Sequence, residues 1–357
     1  MLGVPSEPFG VAATPDGRWA FVATGTSIEV LRTARAPRAL APVPVANIPV
    51  AGVGPLTGAL GETITRDGRY LLAASDNGAV VISVARAEQR AAGAVLGTLV
   101  APGGATAGTG AIEVAVSPDG RFAFVSLEDA QRAAVFNLGH ALAHGFGAAD
   151  YVGSIPLGLA PVGLAVSPDG RWLYATSEAA LASHPAAGTG SPGTLTVIDL
   201  RRAETDPAAS VVATVDAGCQ PVRVITSADG TQVWVTARAS DDLLCFSAAR
   251  LVSDPRRALA AIVRVGEAPV GLAAVRDGAL VVVADSDRFA ASGASADLDV
   301  VNVAAALAGR QAVVGRIPSG LFPRDMTVSP DGTLLVSNYS SGQLEAVDVA
   351  SIPVTAP

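Results

Sequence analysis

Three charged side chains stand where the rest of the chain keeps glycine. A short apolar segment recurs along the sequence. The position two residues before its recurrent alanine is Gly10, Gly61, Gly163 and Gly271 in four copies, but Glu113, Arg223 and Asp325 in three others. One residue later, an apolar position (Val11, Val114, Leu164, Val224, Leu272, Met326) becomes Glu62 in one copy. One residue earlier, an apolar position becomes Arg324. Charges at such positions are costly unless they are paired or hydrated. Two chemistries follow. Arg223 and Arg324 can grip an anion or a carbonyl oxygen while Glu113 or Asp325 serves as general acid or base. Alternatively, the same charges pair across an interior and stiffen it around ordered water.

A second polar set closes the strand that follows each segment: Asp76, Glu128, Glu178, Arg238, Asp285, Asn338 and Tyr339. These read either as solvated loop groups or as oxygen ligands converging on a hard cation such as Ca²⁺. No Asp-x-Asp-x-Asp-Gly loop accompanies them, so Ca²⁺ is the lesser expectation and no other cofactor is implied. His140 and His144 have helical spacing but lack a third ligand, which argues against zinc. His184 lies in a Gly-rich insertion; folded over a site it would be a general base, otherwise an exposed loop histidine. The glycine-rich stretch 101–110 has no lysine and no following helix, so it is not a phosphate loop. Gly-x-Ser-x-Gly, paired Cys-x-x-Cys and haem-attachment motifs are absent.

The elements that position these residues are written in the turns. Asp-Gly occurs seven times, at Gly17, Gly68, Gly120, Gly170, Gly230, Gly278 and Gly332, with spacings of 48 to 60 residues. In the copy 161–176 an apolar run enters Pro168-Asp169-Gly170 and leaves as a second run, a β-hairpin encoded by local turn chemistry. A period near fifty with several short strands per unit predicts an all-β, single-domain, seven-bladed β-propeller spanning 1–357. Each blade has four antiparallel strands, A innermost to D outermost. In the fourth blade these fall near 162–167, 172–177, 194–200 and 210–216. C strands ending in Asp or Asn before Ala/Arg-rich stretches predict a helical turn in each C–D loop. Met1 to Phe9 aligns with 317–323, so the N-terminal strand is expected to pair beside the last blade and close the ring.

The pattern Pro-x-Gly-hydrophobic-Ala-Val-Ser-Pro-Asp-Gly-Arg, followed by Val-Ile-Asp-Leu and Ile-Pro-x-Gly, resembles the YVTN-type repeat and the lactonase-like seven-bladed propellers. The resemblance covers essentially the whole chain. It implies ligand sites on the face carrying the D–A and B–C loops, at the mouth of the central channel. It also implies an exported, secreted or periplasmic protein, since members of this kind are commonly exported; no signal peptide is read in this chain.

Composition narrows the partners. Half the residues are hydrophobic and 16% are charged, yet no run of about eighteen apolar residues suggests a membrane span. All 24 basic residues are arginine, which excludes Schiff-base chemistry and, with the Ala and Gly content, suggests a high-GC bacterial genome. A net charge of −8 argues against nucleic acid. Cys219 and Cys245 both belong to the fifth blade, as a disulfide or as two buried thiols. Two function classes remain. One is a binding protein, monomeric by default, that recognises a small molecule or a protein on the top face. The other is a lactonase-like hydrolase or isomerase with Glu113 or Asp325 as acid–base and Arg223 as anion clamp. The ligand-binding positions of either are Glu62, Arg324, Arg238, Asp285, Asn338, Tyr339 and His184.

Overall fold

Each A–B turn is held by one carboxylate. In five blades a Ser or Thr hydroxyl (Thr14, Thr65, Ser117, Ser167, Ser227) donates to the aspartate two residues on, at 2.5–2.6 Å. The same aspartate oxygen accepts the N–H two residues further along, at 3.0 Å. The glycine then takes φ between +66° and +72°, a region open to residues without a Cβ. Hydrogen bonds from Ser167 and the Arg171 N–H hold the Asp169 carboxyl below its ordinary range. The sixth blade lacks the hydroxyl and turns through positive φ at Arg276, Asp277 and Gly278.

The computed structural model describes residues 1–4, 7–33, 42–50, 58–90, 92–102, 110–180, 192–288, 296–352 and 354. The described strands form seven four-stranded sheets, each pairing antiparallel with its sequence neighbours. The fourth blade consists of Leu159–Val166, Trp172–Ala179, Pro192–Asp199 and Val211–Cys219. In the last blade the outermost strand is Leu2–Gly3, which pairs with Gln343–Asp348 through Leu2 and Leu344. The ring therefore closes with strand from both ends of the chain, as its sequence predicts. Helical turns follow the C strands: Asn137, Asp199 and Asn302 each accept the N–H three residues on, at 2.9, 3.0 and 2.8 Å.

Core lies between blades rather than inside one. Phe21, Ile28, Leu71 and Ile82 fill the space between the first and second blades, and Phe124, Ile155, Leu173 and Ile198 that between the third and fourth. Both faces of a blade are thus covered, which explains the near-continuous apolar runs. Cys219 ends the outermost strand of the fourth blade, not the fifth as the turn spacing suggests, and is not joined to Cys245; Cys245 is buried, and burial pushes its thiol up to about 12.

A hydroxyl stitches adjacent innermost strands. The A–B register shifts within the strands Ala111–Val116, Leu159–Val166, Pro221–Thr226 and Pro323–Val328. Each shift frees an N–H, at Glu113, Gly163, Arg223 and Asp325. Ser126, Thr176, Thr236 and Ser337 accept these N–H groups at 2.8–3.1 Å. The same hydroxyls donate to the next blade at Val162, Val222, Val270 and Phe9 carbonyls, 2.6–2.8 Å away. The first, second and sixth blades carry Ala23, Ala74 and Ala284 instead. Thr176→Val keeps the shape and orphans a buried N–H and a buried C=O. It is expected to cost about 1–3 kcal/mol in urea unfolding, whereas an unchanged midpoint would mean the bridge contributes nothing.

Candidate functional site

The shifted register aims Glu113, Arg223 and Asp325 into the central channel. The equivalent glycines make room for them and for their neighbours. A Cβ on Gly61 would stand 2.9 Å from the Glu113 carboxyl and 2.5 Å from the Ile112 carbonyl. The structure brings together four of the residues singled out in the sequence. Arg223 Nη1 lies 3.1 Å from Glu113 Oε2, and its Nε 4.0 Å from Asp325 Oδ1. Glu62 Oε1 accepts the Ala12 N–H at 3.1 Å, and Asp325 Oδ2 accepts the Val11 N–H at 3.2 Å. These two carboxylates satisfy backbone donors on the open, channel-facing edge of the first blade.

The group is under-satisfied. Glu62 is 7% exposed and Arg223 8%. Among the described residues Glu62 Oε2 and the Nε and Nη1 of Arg223 have no hydrogen-bond partner, so the Arg223–Glu113 contact is a charge contact without hydrogen-bond alignment. Burial dominates the titration of all three acids. It pushes Glu113 up to about 7 against the pull of Arg223, with Asp325 adding to the rise. It drives Glu62 well above the carboxylate range, helped by Asp325 and Glu113. Asp325 is raised by burial, with Arg223 opposing. Three acids against one guanidinium share protons at neutral pH.

These side chains line a cavity of about 430 Å³ whose walls include Leu164, Val224, Leu272, Met326, Thr63 and Thr327. The lining continues past Thr65 and Arg66 to Pro15, toward the A–B turns. On the other side an apolar collar of Ile112, Val162, Val222, Val270 and Phe322 packs across the strand starts. This corrects the placement expected from sequence: the space lined by the charged residues runs toward the A–B turns, not toward the D–A loops. Strand alternation separates Arg324 from its neighbour Asp325. The Arg324 guanidinium lies on the D–A side, 4.3 Å from the Phe9 ring centroid, 5.5 Å from Tyr339 and 5.6 Å from Phe322.

The second polar set does not converge on one point: Arg238 with Glu178, Asn338 and Tyr339 pair locally, and Asp285 has no hydrogen-bond partner among the described residues. Arg238 bonds Glu178 at 3.0 Å and Gln220 at 3.2 Å. Asn338 is fully buried, donating to Glu345 at 3.1 Å and accepting from Ser319 at 3.0 Å. Tyr339 donates to Glu7 at 2.5 Å. Asp285 is 2% exposed beside Asp299, which is bound to Arg316 at 2.8 Å. No three His, Cys, Asp or Glu among the described residues gather to hold a metal ion. His184 lies outside the described residues. His140 binds buried Asp150 at 2.6 Å in the C–D loop of the third blade, away from the channel. Sequence reading missed Glu29, Asp299 and Glu345, which replace Val80, Ala134, Thr196 or Leu244 of the other C strands. Aligning C strands as the A strands were aligned exposes them.

The fold and this channel define the chain as a seven-bladed β-propeller with a carboxylate-rich interior. No family model and no curated protein matches the sequence. Among solved structures, hydrazine synthase of Kuenenia stuttgartiensis is similar, at 16% identity and a TM-score of 0.72, covering 97% of this chain and 96% of that one. At that identity the likeness shows the propeller fold alone. No helix of the described residues is long and apolar enough to cross a membrane.

Proposed function

We propose that this propeller is an exported binding protein of the YVTN/lactonase-like kind that holds a small molecule in its central channel. The observation that carries the reading is the imbalance of the cavity. Glu62, Glu113 and Asp325 face it against Arg223, with the exposed Arg66 at the A–B end of the lining, and Glu62 Oε2 has no hydrogen-bond partner among the described residues. Such a site selects a ligand that donates hydrogen bonds to carboxylates, an ammonium, a guanidinium or a polyol, with the apolar walls holding its body. Calorimetric titration with a panel of amines, sugars, sugar acids and lactones tests it. A cationic ligand is expected to bind more tightly as pH rises through about 7, where Glu113 ionises. Glu113→Gln is expected to weaken it about tenfold or more above pH 7, the loss of one charge-assisted hydrogen bond, and to remove that pH dependence. Panel-wide silence, with binding only to protein partners, would move the function to the outer loops.

One observation favours a second reading, a lactonase-like hydrolase or isomerase. Glu113 titrates at about 7 beside Arg223, where a carboxyl group can give and take a proton at neutral pH. In it Arg223 holds the carbonyl oxygen, Asp325 takes a proton from water as the water oxygen bonds the carbonyl carbon, and Glu113 gives its proton to the ring oxygen as the acyl C–O bond breaks. Lactone opening abolished by Glu113→Gln would establish it; no turnover above the uncatalysed rate would remove it.

A further inference from the structure

Across the collar from the carboxylate cavity, the D–A side carries an arginine with no ion-pair partner among the described residues. The Arg324 guanidinium stacks on Phe9, Tyr339 and Phe322, and Arg288 approaches the Phe322 ring at 5.6 Å. The rings brace one another edge to face, Phe9 and Phe322 lying 4.9 and 5.4 Å from Tyr339. Stacking occupies the faces of a guanidinium and leaves its N–H donors in the plane, directed away from the rings. Among the described residues Arg324 has no ion-pair partner, and its buried Nε has no hydrogen-bond acceptor. Burial first, and then the charges of Arg223 and Arg288, bring its pKa down to about 10 against a weaker opposing pull from Tyr339 and Asp325.

We propose that Arg324 and Arg288, framed by Phe9, Phe322 and Tyr339, form a second binding site that takes the carboxylate of a small organic acid on the D–A face. The planar donor edge of Arg324 matches the two oxygens of a carboxylate, and Arg288 supplies a second positive charge from the rim. The exposed sides of the rings offer an apolar wall for the body of the acid. This site is independent of the channel cavity. Arg324, at about 10, stays charged across neutral pH, so the affinity is flat where that of a cation in the cavity changes.

The test is calorimetric titration of the whole chain with benzoate, with inorganic phosphate as comparator. Benzoate is expected to bind with an affinity constant between pH 6 and 8.5 and reduced by salt. Arg324→Gln is expected to weaken it about tenfold or more, and Arg288→Gln about threefold. Arg288 is exposed, so its variant keeps the test decisive if Arg324→Gln fails to fold. Equal benzoate affinity in wild type and Arg288→Gln, no binding to the folded wild type, or phosphate binding more tightly than benzoate would overturn the proposal.

Discussion

Arg223→Met is expected to destabilise the propeller by about 3–5 kcal/mol at pH 8 and by far less at pH 5, the cost of leaving buried charges without their partner. The residue is the guanidinium in contact with Glu113 and Asp325 in the cavity they share with Glu62, and it is 8% exposed. The sign follows from Glu113. Its folded value of about 7 exceeds the ordinary 4.5, so the native state keeps a proton that the unfolded chain releases. Stability from this group is therefore fully present below pH 4.5 and is lost as pH rises through about 7, at up to about 1.4 kcal/mol per pH unit. Without Arg223 both Glu113 and Asp325 rise further, the loss extends to higher pH, and the variant diverges from wild type as pH increases. Urea unfolding at both pH values measures it. Equal losses at pH 5 and 8 would assign the effect to missing packing instead of charge. Adding Glu113→Gln to the variant should then recover part of the pH 8 loss, because one of the stranded charges is gone.

How much of this was legible differs by level. The blades could be read because each A–B turn is local: Ser167, Asp169 and Arg171 settle their hydrogen bonds within five residues. Ring closure was legible because residues near Met1 repeat the strand D pattern of 317–323. Glu62, Glu113, Arg223 and Asp325 stood out because a propeller repeats each position seven times, so a departure marks an unusual environment. The direction of the cavity was not legible. Val162, Val222 and Val270 of the collar are written with the same residue types as the core, and only three-dimensional packing shows that they crowd the D–A side. Nor was the separation of Arg324 from Arg223, since a register shift sits where the two strands would be compared. The second polar set misled because its partners come from C strands: Asn338 is answered by Glu345, and Asp285 faces Asp299.

Asp285 carries the other large effect. It is buried at 2% exposure, and neither carboxyl oxygen has a hydrogen-bond partner. Its side chain presses on the backbone of Gly266, where a Cβ would come within 2.5 Å of the carboxyl carbon. Asp299 already takes the Gly266 N–H at 3.0 Å and the Arg316 guanidinium at 2.8 Å, leaving neither for Asp285. Burial first, and then the charge of Asp299, push the Asp285 carboxyl up to about 9 from 3.8. The native state therefore binds a proton that the unfolded chain loses, and stability falls steadily as pH rises from 3.8 to about 9. An amide in place of this carboxyl keeps the shape and has no such proton to lose. Asp285→Asn is expected to match wild type near pH 4 and to exceed it at pH 8 by on the order of 3 kcal/mol. Denaturant unfolding across that range reads the difference directly. A variant less stable than wild type at pH 8 would reverse the argument. It would mean that the carboxylate is ionised in the native blade and that positive charge beyond that of nearby Arg316 holds it there.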